Sequence, residues 1–134
     1  MSDLREYISQ VKKIKQLKTI KSKVSTKYEI AGVTAKVDQS HAVLFENIKE
    51  SDFRLVSNLV GTRKRFALAV GGTESNIHQK VISAIKNAKT PKIIPTGKFM
   101  ENKSKNINSM PIVTHFEKES GPFITSSVAY AKNP

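Results

Sequence analysis

The chain has 134 residues, no cysteine and a formal charge of +12. That length fits one domain able to bury about two thirds of the surface its unfolded chain exposes, and the lack of cysteine excludes disulfides, thiolate-held metals and cysteine nucleophiles. The charge is uneven: net +5 over residues 1–30, +1 over 31–75 and +6 over 76–134. A near-neutral centre between basic flanks reads as a core segment beside surfaces that attract anions, with a merely solubilising surface as the equal alternative. No apolar run approaches the roughly 20 residues of a membrane span, and the first twenty residues show no secretory apolar core. The expected location is the cytoplasm.

Asp3 and Glu6 form a capping pair, followed by Leu4, Ile8, Val11 and Ile14 at helical spacing, with Lys12, Lys13 and Lys15 off the stripe. This predicts an amphipathic helix lying on the domain. Thr19 to Val24 alternates and predicts a strand, with Ile20, Ser22 and Val24 on one face and Lys21 and Lys23 on the other. Thr26 with Glu29 reads as a capping box opening a helix through Ile30, Val33 and Val37, closed by Asp38-Gln39-Ser40.

Ala42 to Gly72 is the centre of the expected fold. Val43-Leu44-Phe45 and Leu55-Val56 are short apolar runs of strand character. Thr62 is placed to cap a helix with Arg63, Lys64 and Arg65 in its first turn. Phe66, Leu68, Ala69 and Val70 supply its expected apolar side, and Gly71-Gly72 its stop.

Ser75 or Asn76 starts a further helix with Ile77, Val81, Ile82 and Ile85 on one side, stopped by Thr90-Pro91. Ile93-Ile94 and Phe99-Met100 read as short extended pieces around a Pro95-Thr96-Gly97 turn, and residues 102–109 as a loop. Ile124, Ser126, Val128 and Tyr130 alternate with Thr125, Ser127 and Ala129, a half-buried strand. The order of elements predicts an α/β or α+β single domain with a mixed β-sheet flanked by helices.

Self-sufficient catalytic chemistry is absent from the pattern. His41, His78 and His115 lie far apart with no metal-binding spacing, and Glu46, Glu117 and Glu119 have no paired acid or base in the sequence. Arg63, Lys64 and Arg65 beside a helix start are the anion-binding candidate, with a solvated basic turn as the blander alternative. No RNA-reading signature is present, which makes nucleic acid the less favoured partner.

LREYI near the start, VLFENIKESDFRLVSNLVGTRKRFALAVG in the middle and PIVTHFEKESGPFITSSVAYAKNP at the end resemble the amino-terminal part of UbiD-family decarboxylases. The matching positions are Leu44 to Asn47, Ser57 to Leu59, Gly61 to Arg63, Pro111 to His115 and Gly121 to Thr125. The resemblance implies residues 1–109 as the N-terminal α/β domain. It makes residues 110–134 a connecting segment and the first strand of a flavin-binding barrel. It implies prenylated FMN and a divalent metal in the complete enzyme, none held by this chain alone, with Thr125 and Ser126 as candidate cofactor contacts. Ser127 stands where the family has glycine. The expected role is the N-terminal domain, or separately encoded subunit, of a carboxy-lyase acting on aromatic or α,β-unsaturated acids. The part would be non-catalytic and scaffolding or cleft-forming, in a homo-oligomer or with a UbiD-like catalytic subunit. The alternative is a stand-alone basic module for an anionic partner, an acidic protein or nucleic acid.

Overall fold

The computed structural model describes residues 3–97, 101–103 and 106–124. Helix α1 (Leu4–Lys13) starts where Asp3 accepts a hydrogen bond from the Glu6 amide at 2.8 Å, as the capping pair predicts. Its buried stripe is Tyr7 and Val11, with Ile14 half-buried, while Leu4 is exposed. The helix is therefore turned relative to the expected Leu4–Ile8 face. Lys15 ends it in the left-handed region (φ 57°), with Gln16 N–H bonded to Val11 O and Lys15 N–H to Lys12 O. That is the geometry glycine usually supplies.

Strand β1 (Leu17–Ile20) follows at once, earlier than the expected Thr19–Val24 strand. The tight left-handed exit lets pairing begin at Leu17, and Val24 joins later through a single bridge to Ile48. Helix α2 (Glu29–Lys36) then crosses to β2 (Ala42–Phe45), which runs parallel to β1 with Leu17 opposite Ala42 and Ile20 opposite Phe45. Strand β3 (Leu55–Ser57) returns antiparallel, giving the order β1-β2-β3. The mixed sheet between helices is the expected fold class.

The start of α2 differs from the Thr26 capping box. Thr26 O accepts from Thr114 N–H, and Thr114 O accepts from Tyr28 N–H, so this stretch is committed to a bridge. The turn into the helix falls on Tyr28 instead, at φ 68°. The Glu29 carboxylate reaches back to the Ser25 amide at 2.6 Å.

β2 is buried on both faces, which its unbroken apolar run predicts. Val43 and Phe45 pack with Val24, Ile30 and Ile48, with Val33 and Val37 of α2 and Val113 of the returning chain alongside. Ala42 packs on the other face with Tyr7 and Val11, against Leu59 and Leu68. Helix α3 (Arg63–Ala69) is capped by Thr62, whose side chain accepts from the Arg65 amide, and closes on Gly71 at φ 67°. Its buried face is not the expected Phe66, Leu68, Ala69 and Val70. Arg65 and Ala67 point inward, Leu68 is half-buried, and Phe66 and Val70 are exposed.

Helix α4 (Ile77–Lys86) begins at Asn76, whose side chain holds the Thr73 amide rather than the helix, and ends at Asn87, ahead of Thr90-Pro91. Ile93-Ile94 forms no strand, because neither residue joins a ladder. Ile107–Ser109 is one turn of 3-10 helix, within the expected loop. Phe99-Met100 and all but Ile124 of the strand expected from Ile124 to Tyr130 lie outside the described residues.

Candidate functional site

In an α/β sheet, ligands bind beyond the carboxyl ends of parallel strands. Here those ends are Ile20 and Phe45, and beyond them Lys21, Lys23, Glu46, Asn47, Ser51 and Asp52 line a cleft of about 320 Å³. Asn47, the last residue of the Leu-Phe-Glu-Asn stretch, is part of this lining. Its side chain donates to Lys21 O at 2.7 Å and its carbonyl accepts from the Val24 amide at 3.1 Å. Two lysines and two acidic residues are among the cleft lining, so it is polar without a strong net sign.

A buried polar cluster is built around Arg65, on the α1 and α3 side of the sheet. Its side chain is fully buried (0 % exposed). Nε donates to Leu59 O at 3.2 Å and Nη2 to Asn58 O at 3.2 Å. Nη1 donates to Ser40 O at 2.9 Å and Gln16 Oε1 at 3.3 Å. The Tyr7 hydroxyl sits 2.8 Å from Arg65 O and 3.1 Å from Leu59 O, able to donate to either. Asn58, at φ 55°, turns its amide to Asp38 O at 2.7 Å and His41 O at 2.9 Å.

Burial pulls the Arg65 guanidinium below its ordinary pKa, opposed by Tyr7 and Asp38. Burial likewise pushes the Tyr7 hydroxyl up, with Arg65 opposing. This cluster ties α1, the β1 entrance, the α2–β2 turn, the end of β3 and α3 into one unit. Its chemistry is that of a brace.

The three basic residues singled out from the sequence therefore do not share a face. Arg65 points into the core. Arg63 is exposed and grips Glu74 O with Nε at 3.3 Å and Nη2 at 3.1 Å. Lys64 borders a separate cleft of about 250 Å³ with Ile14, Leu68 and Gly72.

Glu119 gains a partner the sequence did not indicate: its carboxylate accepts from the His115 amide at 2.6 Å and lies 3.8 Å from His115 Nδ1. His41 Nδ1 is buried with no hydrogen-bond partner among the described residues, and His78 is exposed on α4. No group of three His, Asp or Glu able to hold a metal ion occurs among the described residues. These residues do not by themselves fit the divalent metal of the resembled enzymes. Thr125 and Ser126 lie outside the described residues.

The Asn58 and Arg65 roles were missed from the sequence. The available signal was Tyr7, Val11 and Ile14 at i, i+4 and i+7, a stripe that carries a hydroxyl into the core.

The family model for the 3-octaprenyl-4-hydroxybenzoate carboxy-lyase N-terminal domain matches residues 8–85. The chain belongs to this UbiD N-terminal family. Anhydromevalonate phosphate decarboxylase of Methanothermobacter thermautotrophicus is 30 % identical over 117 residues, covering 86 % of this chain and 27 % of the relative. A 4-hydroxybenzoate decarboxylase subunit of Chlamydia pneumoniae is 28 % identical, covering 100 % of this chain and 27 % of the relative. The UbiD-class enzyme HmfF of Pelotomaculum thermopropionicum, solved in complex with FMN, superposes with a TM-score of 0.81 at 28 % identity. That match spans 89 % of this chain and 28 % of HmfF. The chain thus spans under a third of the length of these UbiD-type relatives. No described helix is long and apolar enough to cross a membrane.

Proposed function

We propose that this chain serves as the N-terminal domain, or a separately encoded N-terminal subunit, of a UbiD-like decarboxylase for aromatic or α,β-unsaturated carboxylic acids. Its own part is to scaffold the enzyme and shape one wall of its cleft, and the cytoplasm is its site of action. The observation that carries the reading is the family match over residues 8–85. The Leu44–Asn47 and Ser57–Leu59 stretches, shared by resemblance, build the strand ends and the Arg65 brace, which supports a scaffolding role. Prenylated FMN and a divalent metal belong to the complete enzyme and supply the chemistry on the carboxylate. Thr125 and Ser126 are proposed to border that flavin, and the exposed Arg63 and Lys64 to meet an anionic group. The catalytic groups come from the catalytic portion of a UbiD-like enzyme, in the same chain or in a partner subunit, and this chain associates with it or as a homo-oligomer.

Two measurements test this. The purified chain, given prenylated FMN, a divalent metal and aromatic or acrylic acids, is expected to release no carbon dioxide. The Methanothermobacter decarboxylase carrying this chain in place of its matching segment is expected to hold the flavin and release carbon dioxide from anhydromevalonate phosphate. Turnover by the pure chain, or a folded chimera that cannot retain flavin, contradicts the reading.

A further inference from the structure

Helix α4 is anchored at Ile77, which is buried, but its apolar side is otherwise open. Val81, Ile82 and Ile85 are 37, 51 and 72 % exposed, and beyond the helix Ile93 and Ile94 are 94 and 54 % exposed. The charged residues from Ile77 to Gly97 are Lys80, Lys86, Lys89 and Lys92, with no acid among them. Single exposed aliphatics are ordinary on any surface, whereas a run of five on one helix and its extension marks an interaction site. We propose that α4 and the segment after it form a docking surface for the catalytic portion of a UbiD-type decarboxylase, received by an apolar patch rimmed with carboxylates. The inference rests on the function proposed above and names the surface through which it operates.

Two observations select this occupant. The uniformly positive rim complements an acidic one and opposes a second copy of the chain, because a two-fold contact sets the same lysines against each other. The family match ends at residue 85, inside α4, and more than two thirds of each relative lies outside its match. Those relatives must seat a large remainder against this domain, and among its exposed apolar residues α4 carries three on a single helix, Val81, Ile82 and Ile85. An anionic membrane would suit the charge, but this ten-residue helix carries no Trp or Phe to anchor it at an interface.

The test compares the free chain with the Methanothermobacter chimera described above. Amide exchange across residues 77–86 is expected to slow about tenfold or more in the chimera. Ile82→Glu together with Ile85→Glu should leave the free chain folded with an unchanged thermal midpoint, yet return exchange in the chimera to the free-chain rate. Phe53→Glu, at an exposed apolar position elsewhere, should change neither. Equal exchange in the two proteins overturns the proposal, as does a chimera whose α4 stays protected with both glutamates in place. A chimera that releases carbon dioxide while α4 remains unprotected removes the docking surface and leaves the functional reading standing. An inactive chimera with α4 protected does the reverse. Should the chimera not fold, the free chain decides. Self-association or flotation with phosphatidylserine vesicles, either one lost with the glutamate pair, assigns the face to another copy or to lipid and overturns the proposal. Binding of an acidic amphipathic Glu/Leu heptad peptide, lost with the same pair, supports it.

Discussion

β2 and α4 carry similar aliphatic residues and treat them in opposite ways. Val43 and Phe45 of β2 are 0 % exposed, whereas Ile85 of α4 is 72 % exposed. β2 lies between α2 on one face and α1 with α3 on the other, so Val43 and Phe45 on one side and Ala42 on the other meet partners from the same small domain. α4 follows the glycine stop of α3 and is tied back by Ile77, by the Arg63 grip on Glu74 O and by Lys80 donating to Gly71 O. The lesson is that periodicity identifies an apolar face but not what covers it. β2 is explained by its own domain, and α4 calls for something beyond the described residues.

The sharpest way to break this contrast is to truncate one side chain on each element. Phe45→Ala should destabilise the chain by about 3–5 kcal/mol, because a fully buried ring leaves a cavity that the two layers can only partly close. Ile85→Ala should change stability by less than about 0.5 kcal/mol, since water already reaches that side chain. Urea denaturation of the two variants measures both. Equal losses would mean that α4 is packed in solution and that the contrast is wrong.

The same logic applies within α3, where two arginines lie two residues apart. Arg65→Met should cost about 3 kcal/mol: Leu59 O, Ser40 O and Asn58 O lose their donor inside the protein, each worth roughly 1–3 kcal/mol when left unpaired, with water recovering part. Arg65→Lys should not rescue it, because one ammonium cannot span oxygens arranged for a planar fork. Arg63→Met, on the exposed side, should stay within about 0.5 kcal/mol. Similar losses at both positions would show that Arg65 is not the brace.

How much was legible follows from these cases. The β2 run, the Asp3 and Thr62 caps and the Gly71 stop were readable because each depends on residues within a turn or on one unbroken apolar run. Arg65 was not, because Arg63-Lys64-Arg65 reads as a solvated triplet and only the roughly 100° step per helical residue turns one member inward. The start of α2 was misplaced because Thr114, far along the chain, claims the backbone around Thr26 and Tyr28. The early start of β1 depended on Lys15 adopting a conformation that its identity does not announce. Of the candidate site, the Leu-Phe-Glu-Asn end of β2 lies among the positions matched by resemblance, while the oxygens around Arg65 are backbone carbonyls apart from Gln16 Oε1 and carry little residue signature.

Lys15 offers a smaller and opposite effect. A side chain in the left-handed region costs about 1–2 kcal/mol relative to a residue without one. Lys15→Gly relieves that strain but gives the unfolded chain more freedom, so the expected net gain is at most about 1 kcal/mol, read as a higher urea midpoint with an unchanged slope. A loss of stability would mean that the lysine makes a contact that outweighs its backbone.

The smallest effect belongs to the acidic corner that holds the start of α2. Glu29 is drawn below its ordinary pKa near 4.5 by the hydrogen bond from Lys49 and then by the Ser25 amide. For Glu50, desolvation is the largest single influence and would raise the value, but the hydrogen bonds to its carboxylate, led by the Ser25 hydroxyl and the Thr26 amide, together make the net shift downward. In the folded protein both groups release their protons at lower pH than in the unfolded chain. Their contribution is therefore complete above the ordinary glutamate range and disappears as pH falls through the folded values. Both carboxylates are exposed and screened, so the effect is a slope rather than a collapse. Glu29→Gln with Glu50→Gln should flatten the acid limb of stability against pH while leaving the fold intact, and high salt should flatten the wild-type limb toward the same curve. Parallel acid limbs for the two proteins at low salt would show that these carboxylates do not hold the turn that lets α2 cross from β1 to β2.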